Sequence, residues 1–63
     1  MGVTPMNYII SKRMDNARKL LINTDKKIKD ISNEVGYKDI YYFTKVFKKE
    51  IGVSPSEYRK QRI

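Results

Sequence analysis

The 63-residue chain has no cysteine, no histidine and no tryptophan, and only three glycines and two prolines. Without cysteine, neither disulfides nor thiolate metal ligands can reinforce it. Without histidine, a metal site would have only carboxylates, and the seven acidic residues are scattered. The acids read as helix caps or helix-surface groups and form no paired constellation. No catalytic residue, metal ligand or cofactor is therefore assigned, and an enzyme is not expected. Apolar runs are only a few residues long, far short of the ~20 needed to span a bilayer. The N-terminus lacks the apolar stretch of a signal peptide, so a cytoplasmic protein is expected. No low-complexity or Gly/Ser-rich linker is present.

What the chain does have is positive charge. Fourteen Lys and Arg against seven acids give a formal net charge of +7. Such an excess favours a polyanionic partner, either nucleic acid or an anionic membrane surface, although a merely soluble basic domain has the same signature. The length allows one domain at most. A chain this short buries only about 60% of its extended surface, so its stability is marginal.

A short pattern occurs twice. Gly2-Val3-Thr4-Pro5-x-x-Tyr8 returns fifty residues later as Gly52-Val53-Ser54-Pro55-x-x-Tyr58. A period in this range marks a repeated supersecondary unit. The spacing leaves room for one full unit between the copies, so the chain reads as one unit and the end of another.

Helix signals fill the interval. Thr4-Pro5 is an N-cap followed by proline at the first helical position, where its missing N–H costs nothing. Met6, Ile9, Ile10, Met14, Ala17, Leu20 and Leu21 then recur at helical spacing through Ile22. Asn23-Thr24-Asp25 ends this helix and supplies capping side chains for a second, Lys26 to Val35, which Gly36 stops in a left-handed conformation. Tyr37-Lys38 makes a turn, and Asp39 caps a third helix running to Ile51, with Tyr42, Phe43, Val46, Phe47 and Ile51 inward. Gly52 stops it, and Ser54-Pro55 starts a last helix through Arg62. The expected fold is all-α, with four helices.

Two helices joined by a glycine turn match the helix-turn-helix in length and punctuation, and equally an ordinary helical hairpin. Ser32 is small where the two helices must cross. Ile40, Tyr41, Thr44, Lys45 and Lys48 face outward on the third helix. Leaving Ile40 and Tyr41 exposed in its first turn wastes solubility unless that turn meets something, such as a major groove or a missing part of the protein.

The pieces Tyr8-Ile9-x-x-x-Arg13-Met14-x-x-Ala17-x-x-Leu20-Leu21, Ile28-x-x-Ile31-Ser32-x-x-Val35-Gly36-Tyr37, Tyr42-Phe43-Thr44-Lys45-Val46-Phe47-Lys48-Lys49 and Gly52-Val53-Ser54-Pro55-Ser56-Glu57-Tyr58-Arg59 together resemble the C-terminal DNA-binding region of AraC/XylS bacterial transcription regulators. That resemblance implies a homeodomain-like helix-turn-helix at 26–51, a connecting helix at 5–22 and a closing helix at 55–62. Residues 1–4 would be the end of a first helix-turn-helix that is otherwise absent. An effector or dimerisation domain is also expected outside this sequence, with no small-molecule ligand bound by this part. The family's usual alanine is Ser32 here, whose hydroxyl is expected to bond back to the Ile28 carbonyl.

By the same resemblance, Ile40, Tyr41, Thr44 and Lys45 are expected to contact base edges of double-stranded DNA. Lys45 can donate to guanine O6 and N7, while Ile40 and the Thr44 methyl suit thymine methyl groups. Phosphate contact is expected from Lys48 and Lys49 on the third helix, from Lys26 and Lys27 at the start of the second, and from Ser54 and Ser56 at the start of the last. Each single lysine also fits a solvated surface charge. Arg13 is expected to bridge to a neighbouring helix, Arg59 has no assigned role, and Tyr37, Tyr42 and Tyr58 are expected in the core. The alternative function is a protein-interaction module using the same face. Membrane-surface binding through the first helix is weakened by Asp15, Asn7, Ser11 and Asn16.

Overall fold

The computed structural model describes residues 5–61, with side chains from residue 7 onward. The Thr4 cap, the Gly2-Val3-Thr4 copy of the repeat, the Met6 side chain and Arg62 lie outside the described residues. Four helices follow one another: α1 (Pro5–Asn23), α2 (Ile28–Glu34), α3 (Ile40–Ile51) and α4 (Pro55–Lys60). No strand occurs among the described residues.

The long α1 packs against each of the other three helices. Its buried line is Met14, Ala17 and Leu21, with Ile10 and Leu20 half-buried beside it. Spacings of three and four put these residues on one face. Ile31 and Val35 of α2, Tyr37 of the turn, and Phe43 and Phe47 of α3 complete the core. Ile9, expected in the apolar stripe, is instead 46% exposed. It stands on the flank of α1, about a quarter-turn from the centre of the buried line.

A line of aromatic rings runs through the molecule. Tyr42, Tyr37, Phe43, Phe47 and Tyr58 follow at centroid separations of 5.7, 5.7, 5.8 and 5.7 Å, all tilted or edge-on. Such geometry favours the ring edge over the face of its neighbour and adds about 0.5–1.5 kcal/mol per pair beyond area burial. Tyr37 and Tyr58 sit in or against the core, but Tyr42 is 56% exposed and is not a core residue.

The second helix is shorter than the sequence suggested. Lys27 is its N-cap, with extended backbone and no side-chain cap, so Lys26 and Lys27 lie before the helix. The Thr24 hydroxyl donates back to the Leu20 carbonyl at the end of α1 at 2.6 Å, while its oxygen accepts the Lys26 N–H at 3.3 Å ahead of α2. Arg59 of α4 serves the same end, with Nε donating to the Leu21 carbonyl and Nη2 to the Thr24 carbonyl, both at 3.1 Å. A cation there also complements the helix dipole.

Candidate nucleic-acid interface

The turn between α2 and α3 decides where α3 points. Val35 is the C-cap of α2, and Gly36 follows at φ +104. The Tyr37 N–H donates to the Ser32 carbonyl at 2.8 Å and the Gly36 N–H to the Asn33 carbonyl at 3.2 Å. These are the two bonds of a Schellman stop. The buried Ser32 hydroxyl then donates to the Tyr37 carbonyl at 2.8 Å. Both main-chain polar groups of Tyr37 are thus held by Ser32. The expected bond from Ser32 to Ile28 is not made, because the Schellman turn brings the Tyr37 carbonyl within reach.

Arg13 of α1 closes the turn from outside. Its guanidinium carbon lies 5.0 Å from the Tyr37 ring centroid. A Cβ placed on Gly36 would stand 3.1 Å from that carbon and from Nε. Glycine is needed here twice, for the positive φ and for the approach of Arg13.

From this turn Asp39 starts α3, its carboxylate accepting the Tyr41 N–H at 2.9 Å. Phe43 and Phe47 turn inward, leaving Tyr41, Tyr42, Lys45, Lys48, Lys49 and Glu50 exposed. Tyr41, Lys45 and Lys48 are spaced i, i+4, i+7, one line along the helix, while Tyr42 and Lys49 share its edge. Tyr41 is 83% exposed. Ile40 is half-buried, contrary to the sequence reading, because its position turns towards the side of Phe43 and Phe47. Thr44 is also half-buried and donates its hydroxyl to the Ile40 carbonyl at 2.8 Å.

The other sequence candidates stand apart from this line. Lys26 donates to Glu34 Oε2 at 2.6 Å, a half-exposed pair across the α2 segment. Such a pair is worth little to stability, though it places an acid beside the cation. Lys27 is exposed at the N-cap of α2. Ser54 is engaged in a capping box: its N–H donates to Glu57 Oε1 at 3.1 Å, and its Oγ accepts the Glu57 N–H at 3.2 Å. The Ser54 N–H first, and the Ser54 hydroxyl second, hold the Glu57 carboxyl below its ordinary value, with Lys48 and Lys60 adding attraction. A carboxylate therefore already occupies the start of α4, while Ser56 is exposed beside it.

Two contributors were missed by sequence reasoning. The Arg59 partners lie 35 and 38 residues away, and no local pattern announces them. Tyr42 fits helical periodicity as an inward residue, and only the packing of α3 shows it outside. Among the described residues no group of His, Cys, Asp and Glu could hold a metal ion, and no helix is long and apolar enough to cross a membrane.

Comparison with known proteins converges on one architecture. A family model described as a helix-turn-helix domain matches residues 1–61. The chain is 48% identical over 59 residues to the lactose operon transcription activator of Staphylococcus xylosus, covering 94% of this chain and 21% of that protein. It is 47% identical over 60 residues to the HTH-type transcriptional regulator YisR of Bacillus subtilis, covering 95% and 21%. The chain thus spans about a fifth of the length of these curated relatives. Among solved structures, the C-terminal domain of AraT, a response regulator from Geobacillus stearothermophilus, superposes with a TM-score of 0.94 at 39% identity, covering 98% of this chain and 51% of that one.

Proposed function

The chain belongs to the helix-turn-helix family of AraC/XylS-type transcription regulators, and from that membership we propose how it docks on double-stranded DNA. The start of α3 enters the major groove, the docking mode of a recognition helix. The observation that carries this reading is the outward face of α3, where Tyr41, Lys45 and Lys48 form a line with Tyr42 and Lys49 along its edge, and the one acid of the helix, Glu50, stands off that line.

Tyr41 and Lys45, with the Thr44 methyl and the exposed part of Ile40, face base edges. Lys45 donates to guanine, and the apolar groups meet thymine methyls. Lys48 and Lys49 take phosphates farther along the helix, and Lys27 adds a contact from the start of α2. Lys26 joins only by leaving Glu34, and the Ser54–Ser56 segment contributes through Ser56. In the same reading 5–22 is a connecting helix, 26–51 the helix-turn-helix and 55–62 a closing helix. The whole regulator carries a further DNA-reading unit and an effector or dimerisation domain and acts in the cytoplasm. Neither catalysis nor a small-molecule ligand is assigned to this part.

Fluorescence anisotropy against random-pool duplexes at low salt tests the reading. With about four phosphates neutralised, log affinity falls with log salt at a slope of roughly −4. Lys45→Ala relaxes preference at one guanine, whereas an equal loss on every duplex makes Lys45 a phosphate contact. Absence of binding to any duplex would transfer the α3 face to a protein partner.

A further inference from the structure

Resting on the DNA-binding reading above, we propose that Arg13, Tyr37 and Tyr42 form a stack that holds the Tyr42 hydroxyl in place to donate to a DNA phosphate, with Arg13 as a positioning residue acting through Tyr37. Tyr42 is 56% exposed while its neighbour Phe43 is fully buried. Its ring is nevertheless held, 5.7 Å from Tyr37 at an interplanar angle of 54°. Tyr37 is buried and carries the Arg13 guanidinium 5.0 Å from its centroid. Arg13 in turn backs onto Gly36, where an added Cβ would press on it at 3.1 Å. The stack therefore runs from the backbone of the turn to the surface of α3.

Position on the helix decides what Tyr42 meets. Tyr41, Lys45 and Lys48 form the central line of the exposed face, while Tyr42 and Lys49, seven residues apart, share its edge. When the central line faces the floor of a groove, the edge faces the sugar-phosphate wall, where contacts fix register without reading sequence. A phenol is a neutral donor, so it adds affinity without releasing a counterion. Lys49 on the same edge releases one. This difference separates the two residues experimentally.

Anisotropy is measured with the 63-residue chain against one duplex selected from a random pool and one unrelated duplex, across a salt series. Tyr42→Phe lowers affinity about fivefold on both duplexes and leaves the salt slope unchanged. Lys49→Ala reduces the slope by about 1. Arg13→Lys keeps the charge but loses the planar guanidinium, and it lowers affinity about threefold. It adds nothing in the Tyr42→Phe background, whereas a merely structural Arg13 lowers affinity equally in both. Circular dichroism confirms that each variant is folded, and Arg13→Gln replaces Arg13→Lys if the latter is not.

Unchanged affinity for Tyr42→Phe overturns the proposal, as does a loss confined to one duplex, which would make Tyr42 a base contact. Equal Arg13 losses in both backgrounds overturn the positioning role. If the unaltered chain binds no duplex at low salt, the DNA-binding reading itself fails, an outcome distinct from any variant effect.

Discussion

Helices α2 and α3 stop in the same way, at glycines with φ of +104 and +102, yet the two stops are built differently. At Gly36 a Cβ would press on the Arg13 guanidinium at 3.1 Å, whereas at Gly52 nothing lies within 4 Å. Gly52 is a local device: its backbone conformation and its N–H to the Lys48 carbonyl at 2.9 Å need nothing from the rest of the chain. Gly36 is a tertiary device, because a third element rests on it. The crowded stop is the one that aims α3, and the open one only ends it. Nearly equal φ angles therefore conceal unequal tolerance to substitution.

The largest expected effect measures that inequality. Gly36→Ala adds about 1–2 kcal/mol of left-handed strain and makes the Arg13 guanidinium give way slightly, weakening its contact with Tyr37 by up to about 0.5–1 kcal/mol. Urea unfolding should show a total loss of about 1.5–3 kcal/mol, against the strain alone, about 1–2 kcal/mol, for Gly52→Ala. Equal losses would break the comparison. The next test sharpens it: in an Arg13→Ala background, the cost of Gly36→Ala should shrink towards that of Gly52→Ala, leaving a coupling of about 0.5–1 kcal/mol.

Each stop also has a serine nearby. Ser32→Ala leaves the Tyr37 carbonyl without its buried donor and should cost about 1–2 kcal/mol. Ser54→Ala removes an exposed cap and should cost about 1 kcal/mol. A larger loss at Ser54 would reverse the ranking of tertiary over local.

The smallest effect is one of pH. The carboxyl of Glu57 is held below its ordinary value of 4.5 in the fold. Its contribution is fully present above that ordinary value and is lost as pH falls through the lower folded value. Acidification should therefore loosen the start of α4, seen as Ser54 and Glu57 amide shifts in an NMR titration. The Ser32–Tyr37 clasp, made by a hydroxyl and main-chain groups, has no carboxylate to protonate and should not change over the same range.

Local signals in the sequence were legible, and distant ones were not. Both glycine stops, the Asp39 cap and the Ser54-Pro55 start depend on residue type within a few positions. The all-α fold follows from these and from apolar periodicity. Tyr42 was misplaced because a tyrosine satisfies both an apolar and a wet position, so periodicity alone cannot orient it. Ile40 was misplaced by the same quarter-turn in the opposite direction. The Ser32 acceptor depends on the Schellman geometry five residues on. Lys26 pairs with Glu34 eight residues away, outside the helical spacings that a sequence reading checks.

Arg59 gives the molecule a late step in its assembly. The Leu21 carbonyl of α1 and the Thr24 carbonyl just past it accept from a side chain that is synthesised 38 and 35 residues later. During translation, α1 can wind early and close its Leu20 carbonyl through Thr24, but the Arg59 bonds form only once α4 has left the ribosome and docked. Carboxypeptidase trimming that removes Arg59 should therefore be felt first at Leu21 and Thr24, in the opposite half of the sequence.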